Sequence, residues 1–197
     1  RKQTGAGMMD CKNALVEANG DFDAAITVLR KKGQKVAAKR ADRDASEGIA
    51  ITKMNTDNTA GVAIVLACET DFVAKNDDFG VLVKRLADVA TSSNAGTLAE
   101  LKTQSIDGMT LEEKVIEQTG VVGEKLDLSY FESVSGAKVI TYNHPGNRIA
   151  SVVAFNKDTT DEIAKDVAMQ VAAMNPVALN KDDCSQDVID KELEIAK

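Results

Sequence analysis

The sequence predicts an α+β fold: a small helical module, then two β-hairpin-then-helix units, then the start of a further helix. Three observations carry this. The first forty residues place apolar side chains at helical spacing between capping residues. Two pairs of apolar runs are each joined by a polar turn. The second pair, with the helix after it, repeats the pattern of the first.

In "TGAGMMDCKNALVEANGD", Met8, Leu15 and Val16 fall at helical spacing, the glycines of TGAG start the helix and Gly20 ends it. Asp21 is the N-cap of a second helix with an apolar stripe of Phe22, Ala25, Ile26 and Leu29, and Gly33 is expected to close it. The basic stretch "KKGQKVAAKRADRDAS" reads as a helical linker. From Glu47, "GIAITKM" and "GVAIVLA" flank the polar turn NTDNTA and make a hairpin. A helix over roughly 78–90 places Phe79, Leu82, Val83, Leu86 and Val89 on one face. Two short helical patterns, TLAELKTQ and TLEEKVIEQ, precede strands at EKLDLSYFESV, AKVITYN and RIASVVAF. A helix over 161–174 ends before Pro176, and an amphipathic pattern begins at Asp187.

The repeat matches "VAIVLAC" (62–68) with "IASVVAF" (149–155), and the following helices align through Lys84 and Lys165. On that alignment the first unit carries six extra residues between strand and helix, within TDFVAKN. Loops on a rigid scaffold often carry binding residues, and this one keeps an aromatic, Phe72.

Composition narrows the function. The chain is 44% hydrophobic and 28% charged, ordinary for a globular protein. Its net charge of −7 argues against a phosphate-driven nucleic-acid binder, while leaving room for a local basic patch. The sequence has no run of eighteen apolar residues, and a signal peptide is not expected. Cys11, Cys68 and Cys184 are widely spaced, odd in number and without CxxC, which fits reduced thiols in a cytosolic protein. With His144 the single histidine, an imidazole or thiolate metal site is not expected. Glu69, Asp71, Asp77 and Asp78 lack the DxDxDG order of a calcium loop and read as a solvated face. Cys68 ends a buried apolar run, so it reads as core rather than as a nucleophile paired with His144. "TGVVGEKLDL" is no phosphate loop, because Glu124 precedes Lys125 and only two residues part Gly120 from Gly123. None of these patterns makes an enzyme site.

Two apolar features are left over. Adjacent helical residues point about 100° apart, so Met8 and Met9 are not expected to face one core together. An exposed methionine suits an adaptable contact surface; the alternative buries both in the module. Phe72 and Val73 either fold back over the sheet or are kept clear of it for a partner.

In order along nearly the whole chain, "TGAGMMDCKNAL", "KKGQKVAAKR", "EGI", "CETDFVAKN" and "DVAMQVAAMNP" closely resemble the bacterial elongation factor Ts family, the nucleotide exchange factors of elongation factor Tu. The resemblance implies a three-helix, ubiquitin-associated-like module with its basic linker at 1–44. First and second core subdomains would follow at 45–130 and 131–180, with the start of a helical protrusion at 181–197. Most of the module's first helix and the later part of the second subdomain are expected to lie outside these residues. The stretch 94–123 matches no family motif.

The resemblance also implies a cytoplasmic translation factor that binds elongation factor Tu–GDP and promotes its exchange for GTP. It would act by protein contact rather than chemical catalysis, with no cofactor or metal of its own, no membrane and no direct nucleic-acid contact. A homodimer of the full-length protein is left open. The partner-binding residues it implies are Asp71, Phe72, Thr70, Val73, Met8, Met9 and His144. A general module for peptides or ubiquitin-like domains is the rival reading, and it leaves the extra residues around Phe72 without a role.

Overall fold

Gly33, expected at a helix end, lies inside one. In the computed structural model, which describes residues 1–196, α1 spans Met8–Glu17 and α2 spans Phe22–Lys39, so the second helix continues through the basic stretch. Asp21 caps α2 as expected, its carboxylate accepting from the Ala24 N–H at 2.8 Å. Glycine in a helix interior costs about 1 kcal/mol relative to alanine, and here a close helix crossing offsets that cost. Gly33 is buried against α6 (Leu111–Val122), where a Cβ on Gly120 would lie 2.4 Å from the Gly33 Cα. Residues 1–44 thus form two helices, and the helix packed across α2 comes from the core.

The core is built on strand alternation. β1 (Glu47–Met54) and β2 (Ala60–Cys68) form the expected antiparallel hairpin, with Glu47 opposite Cys68. β5 (Leu126–Ser135) pairs with the other edge of β2, with a bulge at Ser129, giving the order β1-β2-β5, so the boundary expected between 130 and 131 falls inside a strand of the first sheet. Successive side chains of a strand point to opposite faces. Val62, Ile64, Leu66 and Cys68 of β2 are buried with Phe79, Leu82, Val83 and Leu86 of α4 (Asp77–Ser92). On the other face, Gly61 lets a second hairpin approach: a Cβ there would lie 2.8 Å from Val139 and 2.9 Å from Val152.

That hairpin is β6 (Lys138–Asn143) and β7 (Ala150–Phe155). α7 (Asp161–Met174) covers it, burying Ala164 and Ala168, and the Ser151 hydroxyl donates to the Ala168 carbonyl at 2.7 Å. The layers therefore run α4, first sheet, second hairpin, α7. Smaller pieces complete the order: α3 (Asp71–Ala74), α5 (Leu98–Lys102), the two-residue strands β3 (Ser105–Ile106) and β4 (Met109–Thr110), a 3₁₀ turn at Lys181–Asp183, and α8 (Gln186–Ile195). No helix among the described residues is long and apolar enough to cross a membrane.

The repeat holds, and its six extra residues divide in two. The β2–α4 connection is 69–76 and the β7–α7 connection is 156–160, so the first is longer by three. The other three are the opening turn of α4. The buried pair Val83 and Ala87 corresponds to the buried pair Ala164 and Ala168, which sets Gly80 opposite the start of α7 at Asp161.

Candidate functional site

The connection from β2 to α4 is tied at both ends and open in the middle. At its start, the Arg40 guanidinium donates to both Glu69 carboxylate oxygens at 2.7 and 3.0 Å, and the Lys125 backbone N–H donates to the same carboxylate at 2.6 Å. The Lys125 N–H first, then Arg40, hold the Glu69 carboxyl below its usual range. Thr70 gives its N–H and its hydroxyl to Glu124 at 3.0 and 2.7 Å. Thr70 occupies the N-cap position of α3, but its hydroxyl is engaged by Glu124 and makes no cap bond. At the far end, the Asn76 side chain caps α4, accepting from the Asp78 and Phe79 N–H groups.

Between these ties α3 is a single turn. Val73 and Ala74 are half-buried against the core. The residue before them points away on the helix, and Phe72 is 84% exposed. Of the two readings open for this pair, Phe72 follows the one that keeps it clear, and Val73 follows the other. Leaving a phenylalanine in water forgoes about 1.5–3 kcal/mol of burial. Asp71, beside it, is half-exposed and pairs with Lys75 one turn on, at 2.6 Å. The hydrogen bond and charge of Lys75 hold the Asp71 carboxyl below its usual range.

Met8 and Met9 open α1 and both are exposed, at 69% and 61%, and Val16 adds to the same helix's apolar surface. The two methionines share no core: neither is buried, and α1 instead buries Ala14. The stretch before them is brought towards Phe72. Lys2 to Gly5, Phe72, Val73, Val121 and Val122 line one groove of about 620 Å³.

His144 lies elsewhere, in the β6–β7 turn on the outer edge of β1. The Ala50 N–H donates to the Asn147 carbonyl at 2.8 Å, and the Asn143 side chain accepts from the Thr52 N–H at 2.7 Å. Arg148 pairs with Glu47. These bonds occupy part of an otherwise open sheet edge. The His144 ring is exposed and its Nδ1 meets the Tyr142 hydroxyl at 2.8 Å.

Cys68 is buried and its thiol donates to the Thr70 carbonyl at 3.2 Å. Burial, and then the charge of Glu124, push its pKa up to about 11. A thiol held protonated is the opposite of what a nucleophile needs. All three cysteines are free. Two of the four acidic residues considered for a cation are otherwise engaged: Glu69 by Arg40 and Lys125, Asp71 by Lys75. No cluster of three metal-ligating side chains occurs among the described residues.

Sequence reasoning missed Arg40, Glu124 and Lys125 as the support of this connection. Thr70 and Glu124 are 54 positions apart, and Glu69 and Lys125 are 56 apart. No periodicity or motif links residues so distant. The one local signal was a pair of charged residues placed where a turn enters a strand.

Known proteins resemble this chain along its whole length. A family model described as Elongation factor TS matches residues 69–197, which include the whole tethered connection. The elongation factor Ts of Christiangramia forsetii is 56% identical over 199 residues, covering 100% of this chain and 72% of that protein. That of Flavobacterium psychrophilum is 53% identical with the same coverage. That of Bacteroides thetaiotaomicron is 48% identical over 197 residues, covering 100% of this chain and 59% of its own length. These identities extend over the helical module as well as the core, and the chain belongs to the elongation factor Ts family.

Proposed function

We propose that this chain binds elongation factor Tu–GDP and promotes the release of GDP and its exchange for GTP. One observation carries the reading: Phe72 is 84% exposed on a one-turn helix whose base is tied to the scaffold. Phe72 enters an apolar gap in the partner, where its burial supplies about 1.5–3 kcal/mol. Asp71 makes the polar contacts that fix the approach. Thr70 and Val73 face this chain's own interior and act from behind, holding the turn. Packed cores have discrete arrangements, so the insertion displaces the partner elements that hold Mg²⁺ and phosphate. Nucleotide affinity falls, and by linkage GDP weakens binding of this chain by the same factor.

Met8 and Met9 form the docking face of the helical module, and His144 adds a contact from the flank of β1. The anchor is then 1–44, the acting unit runs from 45 to the end of β5 at Ser135, the flanking unit follows to 180, and 181–197 is the root of a protrusion. The place of action is the cytoplasm. The test is the release rate of a fluorescent GDP analogue from elongation factor Tu. A rate that rises and saturates with added chain is expected. An unchanged rate, with the chain bound, would overturn the reading.

A further inference from the structure

Three segments distant in sequence meet behind α3. Glu124 accepts both the N–H and the hydroxyl of Thr70. Its neighbour Lys125 donates its backbone N–H to Glu69 at 2.6 Å, and its ammonium to the carbonyls of Ala41 and Arg43 at 2.8 and 2.9 Å. Arg40, at the end of α2, completes the knot on Glu69. The Glu69 carboxylate is largely shielded there, with 13% of its side chain exposed. This knot connects the tail of the helical module to the two residues that lead into α3.

A wedge works only if it keeps its direction under load. A single helical turn has little stability of its own, so the direction of Phe72 depends on what holds the turn: the ties of Thr70, two residues away, beside the packing of Val73 and Ala74 on the core. Bonds to a charged acceptor are the stronger kind, and Glu124 supplies two of them to Thr70.

We propose that Glu124 is a positioning residue for the release step, fixing the direction of Phe72 through Thr70. Through Lys125 and Arg40 the same knot passes the grip of the helical module on to α3. The proposal rests on the exchange reading above.

The test measures, on the full chain, the limiting GDP-release rate and the half-saturating concentration for Glu124→Ala, Glu124→Gln, Phe72→Ala and the Glu124→Ala/Phe72→Ala pair. Glu124→Ala is expected to lower the limiting rate about tenfold, as misorientation does, with the half-saturating concentration within about twofold. Glu124→Gln, whose amide oxygen still accepts from the Thr70 N–H, recovers most of the rate. In the Phe72→Ala background Glu124→Ala has no further effect, because both act through one side chain. Thr70→Val removes the hydroxyl arm alone and gives a smaller loss in the same direction, which keeps the test open if Glu124→Ala does not fold.

A limiting rate unchanged in Glu124→Ala, or losses that multiply in the double variant, would overturn the positioning role and leave the wedge standing. A full rate in Phe72→Ala would overturn the wedge and the positioning role together.

Discussion

The two hairpin-then-helix units share a layout and differ in the step from strand to helix. In the first, residues 69–76 include a helical turn tied by Glu124, Lys125 and Arg40, and Phe72 stands clear of it. In the second, residues 156–160 pass directly from β7 to α7, where Lys138 pairs with Asp161 at 2.6 Å. The helices differ as well. α4 buries Phe79, Leu82, Val83 and Leu86, whereas α7 buries only Ala164 and Ala168 and leaves Ile163 and Met174 exposed. Exposure of an apolar residue alone therefore does not single out a site. Phe72 is distinguished by polar ties that hold its turn while the side chain stays in water; Ile163 lies on the open face of a regular helix.

The largest expected effect comes from two phenylalanines seven residues apart in the first unit. Phe79 is 3% exposed and Phe72 is 84% exposed. Phe79→Ala is expected to cost about 3–5 kcal/mol in urea unfolding, and Phe72→Ala less than about 0.5 kcal/mol. Similar losses in both would erase the contrast between a core residue and a presented one. Next is the helix crossing that joins module to core. Gly120→Ala puts a Cβ against the Gly33 backbone and is expected to cost about 1–3 kcal/mol by overpacking. A melting temperature equal to that of the unaltered chain would show that α2 and α6 separate without cost.

The smallest effect is in acid, and it sharpens the comparison of the two connections. Glu69 in the first and Asp161 at the end of the second both have carboxyls held below their ordinary values, 4.5 and 3.8, Glu69 by the Lys125 N–H first and Asp161 by its Lys138 hydrogen bond. A depressed folded-state value gives stability that is present above the unfolded value and lost as pH falls through the folded one. The stability gap between the unaltered chain and Glu69→Gln should therefore be full at neutral pH, begin to shrink near 4.5 and vanish only below the lowered folded-state value. The gap for Asp161→Asn should be smaller, since the Asp161 side chain is 87% exposed. Denaturant midpoints measured down the pH scale would read both. A gap for Glu69→Gln that persists in strong acid would mean its charge is not what holds the connection.

Much of the fold was legible because it depends on neighbours in sequence. Both hairpins, the Asp21 cap and the bounds of α7 follow from alternation, caps and turn residues. The hairpin of β3 and β4 is missing from the sequence reading, although Asp107–Gly108, both at positive φ, is a local signal for it. What was not legible depends on residues far apart. Gly33 sits inside its helix where Gly120 of a distant helix packs against it. Periodicity showed that Met8 and Met9 cannot share a core, but not that the module would bury neither. At the site, the extra residues pointed to Phe72, while its support from Glu124 came only with the fold.

The claim that Phe72 acts while the methionine-bearing helix holds is tested most directly by one comparison. GDP release from elongation factor Tu is measured over a range of chain concentrations for Phe72→Ala and for the Met8→Ala/Met9→Ala pair. The account predicts a limiting rate at least about tenfold lower for Phe72→Ala, in line with the burial lost, with half-saturation little changed. For the methionine pair it predicts the reverse: weaker half-saturation and an intact limiting rate. A full limiting rate in Phe72→Ala would contradict it.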